Sequence, residues 1–93
     1  MSLRLTELEW REEHVQHIAR HHVDPQEVED VCFSTSNRIE TGRGGGGIYY
    51  VTGQTEAGRY LIVIVRYLGR GRAKVITARE MDDHEKSRYR KKR

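Results

Sequence analysis

Leu61 to Val65 are five consecutive aliphatic residues, the only such run in the chain. Four of them (Ile62, Val63, Ile64 and Val65) are β-branched and suit a pleated, packed surface. A segment this apolar predicts a central strand, buried on both faces, within Arg59–Arg66. Gly69 and Gly71 then permit a turn, and Ala73–Arg79 reads as the return strand. Arg79 stands where that strand ends. It is either an ordinary surface charge or the centre of a site.

The other elements follow from local signals. Leu3-x-Leu5 alternates and predicts a short first strand. A helix runs from Arg11 to about His21, with Val15, Ile18, Ala19 and His22 on one side and His14, His17 and His21 on the adjoining stripe. Asp24 can cap a second helix, with Pro25 at its first position and Glu27 at capping-box spacing. That helix extends from Pro25 to about Phe33 and turns Val28, Val31 and Cys32 to one face. The two helices form a hairpin on the sheet. Arg38–Thr41 is a short edge strand, 42–47 a glycine-rich hairpin tip, Ile48–Thr52 a strand, and Gly53–Gly58 a turn. Asp82 and Glu85 repeat the capping spacing, so a last helix should reach about Arg90 and leave a frayed basic tail at 91–93.

The fold class expected is α+β, in one domain over 1–93. It has a small antiparallel sheet of four to five strands, an N-terminal helical hairpin and a C-terminal helix, with helices covering one face of the sheet.

Charge is unevenly spread. The first 33 residues hold eight acids against three arginines, a net of −5. The remaining sixty hold fourteen Lys/Arg against six acids, a net of +8. A basic segment of that size attracts phosphate backbones, although a basic tail can also serve only solubility. No stretch approaches the roughly 20 apolar residues that span a bilayer, so no membrane partner is expected. Met1–Arg4 lacks the apolar core of a signal peptide, and Cys32 is the sole cysteine, which fits a reducing compartment. A cytoplasmic protein is expected.

The glycine tract around Arg43 is not a phosphate loop, because a strand follows it and no Lys-Ser/Thr closes it. The His14, His17, His21 stripe lacks a His-Glu-x-x-His motif and a cysteine pair, so neither a metal nor another cofactor is expected. His21 differs from the other two, since it lies at the helix end, where an imidazole can be packed or can titrate near neutral pH. Cys32 reads as a buried small hydrophobe, and Trp10 as a core anchor.

Arg79, Glu85 and Tyr89 form the most suggestive constellation, with Glu85 and Tyr89 one helical turn apart. Its bland reading is an ion pair at a helix start with a tyrosine ring on the sheet. Its functional reading is a phosphate site. RNA cleavage without metal needs a base for the 2′-hydroxyl, a cation for charge growing on phosphorus, and an acid for the leaving oxygen. Glu85 or His21 can be the base, Arg79 the cation, and Tyr89 or His21 the acid. Arginine suits phosphate because its fork donates two hydrogen bonds at once.

These residues carry a resemblance. Trp10, Arg20–His21 before Val23, and Glu27–Val31 resemble the opening of BrnT-family toxins, where a tryptophan precedes a helix ending in Lys-His-Gly. Gly53-x-Thr55-x-x-Gly58-Arg59 is similar to the family's middle, and Val75–Arg79, Glu85 and Tyr89 to its closing Ile-Ser-Ala-Arg, glutamate and tyrosine. Here Arg20 stands for the lysine and His22 for the glycine. The resemblance implies a RelE-like fold of the RelE/ParE superfamily and a ribonuclease that blocks translation. It also implies a cognate antitoxin, with His21, Arg79, Glu85 and Tyr89 at the site.

The sequence is therefore expected to encode a metal-independent endoribonuclease of a type II toxin–antitoxin system. RNA contacts, ribosome-associated or not, are expected from Arg20, Arg59, Lys74, Lys86, Arg88 and Arg90. The alternative is a non-catalytic RNA- or protein-binding module on the same scaffold.

Overall fold

The structure, a computed structural model, describes residues 3–91. Its elements are β1 (Glu7–Glu9), α1 (Glu12–Ala19), α2 (Pro25–Cys32), β2 (Arg38–Thr41), β3 (Ile48–Gln54), β4 (Tyr60–Gly69), β5 (Arg72–Glu80) and α3 (Asp83–Lys91). The α+β order is the one expected. Lys91 belongs to α3, and the rest of the expected tail lies outside the described residues.

The strands form one sheet in the order β1-β5-β4-β3-β2. Neighbours among β2 to β5 are antiparallel, whereas β1 pairs parallel with β5, so the sheet is mixed. The first strand is also not at Leu3–Leu5. Leu5 is a core residue, and the backbone N–H groups of Thr6 and Glu7 both donate to the Gly71 carbonyl at 2.8 and 3.2 Å. That docking on the β4–β5 turn starts the strand two residues beyond Leu5.

The buried inner face carries Val51, Leu61, Val63, Val65, Ala73, Val75 and Ala78, packed with Ile18 of α1 and Val28, Val31 and Cys32 of α2. The opposite, outer face is covered only in part. Ile62 and Ile64 are half-buried, so the central strand is fully buried on one side rather than two. Helix α3 lies over the outer face near Thr52 and Ile62, so helices occupy both faces of the sheet.

The connections obey local chemistry. Helix α1 ends at Ala19, before His21, because the chain reverses there. His22 N–H donates to the Ala19 carbonyl (3.0 Å) and Val23 N–H to the Ile18 carbonyl (3.1 Å). This pair of bonds is a Schellman motif, with Val23 and Ile18 supplying its buried apolar contact. The motif needs a left-handed residue, and His22 supplies it with φ 61°. Glycine usually holds that position, as in the Lys-His-Gly pattern that the sequence resembles. Helix α2 begins with the full capping box between Asp24 and Glu27.

One irregularity decides where Arg79 points. Val65 pairs with Val75 and Ile64 with Thr77, which leaves Ile76 as an extra, bulged residue in β5. A regular strand would turn Val75 and Arg79 to the same side. The bulge reverses the alternation after Val75, so Ala78 faces the core and Arg79 faces outward.

No helix among the described residues is long and apolar enough to cross a membrane.

Candidate functional site

Arg79 sits in an outer-face row of cross-strand neighbours, Arg38–Thr52–Ile62–Arg79. Helix α3 starts just beyond it, capped by Asp82. The Asp82 carboxylate accepts from Glu85 N–H (2.8 Å), while Glu85 Oε1 accepts from Asp82 N–H (2.9 Å). The same Glu85 carboxylate receives both forks of Arg79, Nη1 at 2.7 Å and Nη2 at 2.8 Å. Arg79 Nη1 also donates to the Glu80 carbonyl at 3.1 Å. Chiefly because of the Arg79 hydrogen bonds, the Glu85 carboxyl is pulled down to about 2, and the Arg79 guanidinium is held above its usual value in return. Glu85 is thus ionised at neutral pH and a weak base. Arg79 keeps 45% of its side-chain surface exposed, and its Nε–H has no partner among the described residues.

Tyr89 fixes the helix to the sheet. It is buried, its hydroxyl donates to the Ser36 carbonyl at 3.1 Å, and its ring meets Tyr60 edge-on at 6.0 Å. Arg90 lies 4.9 Å over the Tyr60 ring, a cation–π contact. Arg88, with Arg38, Thr52 and Tyr89, lines a small pocket of about 30 Å³ between α3 and the sheet.

His21 lies elsewhere. It belongs to the turn of the helical hairpin, on the inner side, with its ring edge-on to His17 at 5.3 Å. No hydrogen bond among the described residues joins it to Arg79, Glu85 or Tyr89. Arg59 bridges the two places. Its Nη1 donates to both Glu27 oxygens (2.8 and 2.7 Å) and to the His22 carbonyl (2.8 Å), and its Nε donates to Glu80 (3.3 Å). The hairpin turn is thereby tied to the strand end that carries Arg79.

Of the remaining expected contacts, Arg20 is exposed on the same turn as His21, and Lys86 is half-buried on α3. Lys74 lies on the outer face opposite Arg66, well along β5 from Arg79. The structure therefore gathers Arg79, Glu85, Arg88, Tyr89 and Arg90 around α3 and leaves Arg20 and His21 apart. Arg59 is committed to ion pairs. Among the described residues no three His, Cys, Asp or Glu side chains converge on a metal-holding arrangement.

Two participants were not foreseen from sequence. Arg38 points outward beneath α3, and its Nη1 is buried without a partner among the described residues. The alternation with Ile39 places it on the face opposite the core, which was readable. Ser36 contributes only its carbonyl to Tyr89, and no side-chain pattern signals that.

A mixed five-stranded sheet with a helical hairpin on one face and a C-terminal helix on the other is the fold of BrnT-like small toxins. Among solved structures, the 1.1 Å crystal structure of the Brucella abortus ribonuclease toxin BrnT is similar to this chain. The TM-score is 0.66 at 20% sequence identity, over 83% of this chain and 97% of that one. At that identity the likeness is one of fold. No protein-family model matches the chain, and neither does any curated protein sequence.

Proposed function

We propose that this protein is a metal-independent endoribonuclease of a type II toxin–antitoxin system, a divergent relative of the BrnT branch of the RelE/ParE superfamily. It cleaves RNA in the cytoplasm to stop translation and is held silent by a cognate antitoxin. The observation that carries the proposal is the presentation of Arg79. A half-exposed guanidinium is turned outward by the Ile76 bulge and gripped from one side by Glu85, on a fold shared with a ribonuclease toxin.

In this reading Arg79 takes the charge that grows on phosphorus, through its uncommitted Nε–H and the remaining Nη2 hydrogen. Glu85 positions Arg79 rather than abstracting a proton, since a carboxyl at about 2 is poorly matched to base catalysis near neutrality. Proton transfer then falls to the Tyr89 hydroxyl once it leaves the Ser36 carbonyl, or to His21, which would have to reach the phosphate from the helical-hairpin turn that Arg59 ties to the strand end. RNA is drawn in by Arg88, Arg90, Lys86 and Lys74, with Arg20 beside His21.

The purified protein should cleave RNA, free or ribosome-bound, in excess EDTA. Induced expression should arrest growth, and the product of an adjacent antitoxin gene should relieve it. One feature favours a second reading, a non-catalytic RNA-binding module. Glu85 and the Tyr89 hydroxyl are both bound into the structure. RNA binding without cleavage on any RNA, ribosomal complexes included, would select that reading.

A further inference from the structure

The outer face of the sheet beyond α3 holds a second feature. Two cross-strand rows lie there, Glu40–Tyr50–Ile64–Thr77 and Ile48–Arg66–Lys74. Helices α1 and α2 pack on the other face, and α3 lies against Tyr60, Thr52 and Ile62 and the Arg38–Glu40 edge of β2. Tyr50 is half-buried and stands at the centre of this open area. Its ring leans over Gly42: a Cβ at position 42 would lie 3.1 Å from Tyr50 Cε1 and 2.7 Å from Ile48 Cγ2. The missing side chain at Gly42 lets the ring lie low against the sheet.

On β2 the ring's own row ends at Glu40, whose carboxylate lies 3.6 Å from Arg38, and the charges in the two flanking rows are all positive. One row away on one side are Arg66 and Lys74, and one row away on the other are Arg38 and Arg79. Arg66 Nη1 donates to the Gly46 carbonyl at 2.6 Å, which draws the glycine tip to the same corner. The flanking rows are four residues apart along β3, about 13 Å at roughly 3.3 Å per residue. An aromatic face on an open sheet, with cations at both borders, suits a strand whose bases are unstacked and whose phosphates run alongside. It does not suit a duplex, whose bases are covered.

We propose that the Tyr50 face is a platform for single-stranded RNA, with one base stacked on Tyr50 and neighbouring phosphates at Arg66 and Lys74. This names a binding surface for the RNA reading given above and rests on that reading for its ligand. It does not depend on cleavage.

The test uses a short single-stranded 2′-O-methyl oligoribonucleotide, which lacks the hydroxyl needed for self-attack, and measures its affinity across a salt series. Tyr50→Leu, which keeps an apolar contact but no ring, should weaken binding by roughly tenfold to a hundredfold, the range for losing one stacked base. Tyr50→Trp should bind at least as well as wild type. Arg66→Gln should weaken binding to all sequences and lower the salt slope by about 0.7, the loss of one phosphate contact to a single strand. Urea midpoints of the variants establish that each is folded.

Binding and slope unchanged in folded Tyr50→Leu and Arg66→Gln would overturn the platform, and would leave the ribonuclease reading standing if wild type still cleaves. A wild-type protein that neither binds nor cuts single-stranded RNA would overturn both. Sedimentation showing a dimer that Tyr50→Leu dissociates would also overturn the platform, because a second copy would then occupy the face.

Discussion

Arg79 and Glu85 are joined by two parallel N–H···O bonds of 2.7 and 2.8 Å, and the carboxylate in that fork also caps the helix on which it sits. One carboxylate therefore orients the guanidinium and starts α3.

This double use makes stability depend on pH in a defined window. The Glu85 carboxyl is lowered from 4.5 to about 2 in the folded protein, mainly by Arg79. Above about 4.5 the carboxylate is ionised whether the chain is folded or not, and the full stabilisation is present. As pH falls below that value the unfolded chain takes up the proton first, and the contribution is lost progressively until about pH 2. Because the pair is partly in solvent, Glu85→Ala should cost only about 1–2 kcal/mol at pH 7, from the ion pair and the cap together. Urea unfolding of wild type and Glu85→Ala should therefore converge between pH 5 and pH 2 (roughly the titration range of a depressed carboxyl). A gap that stays constant with pH would contradict the assignment.

Arg59 should matter for stability through its partners. It holds the Glu27 of one capping box, the His22 carbonyl and Glu80 together, and the Glu27 bonds hold its guanidinium above its usual value. Arg59→Ala should cost about 2 kcal/mol, since hydrogen bonds to charged groups contribute about 1.5–3 and the site is partly exposed. Arg59→Lys should recover only part, because an ammonium cannot reproduce the fork. Denaturant midpoints check the order wild type, Lys, Ala.

His22 adopts φ 61° at the end of α1, a conformation costly for a residue with a Cβ. His22→Gly should stabilise the protein by about 1 kcal/mol, because the strain of a left-handed non-glycine residue exceeds the extra freedom glycine adds to the unfolded chain. The Arg59 bond is to the backbone carbonyl and is kept. A lower thermal midpoint for His22→Gly would count against the Schellman assignment.

Cys32 is buried among the core residues, and burial with the nearby Glu29 charge pushes its thiol up to about 12. The native protein should not react with a thiol reagent at pH 8 on a timescale of minutes, whereas the protein in urea should react at once. Fast labelling of the folded protein would place Cys32 at the surface.

Much of the fold was readable from short-range chemistry. The Asp24–Glu27 and Asp82–Glu85 capping boxes form as spaced, and the Leu61–Val65 run is the middle of the sheet. The parts that were not readable are set by contacts distant in sequence. Leu3-x-Leu5 carried the better strand pattern, but the Gly71 carbonyl decides where β1 begins. The Ile76 bulge is invisible in Val75–Ile76–Thr77, because each of those residues suits either face of a sheet. The pairing of Arg79 with Glu85 was legible from the helix start. The separation of His21 from that pair was not, because it depends on which face of the sheet each helix takes.

The role of Arg79 is tested most directly by cleavage of RNA in EDTA by wild type and by Arg79→Ala, each shown to be folded by its urea midpoint. Wild type should cleave, and the variant should lose at least roughly a hundredfold in rate, the scale for removing one transition-state charge stabiliser. Arg79→Ala that is folded and cuts at the wild-type rate would contradict that role.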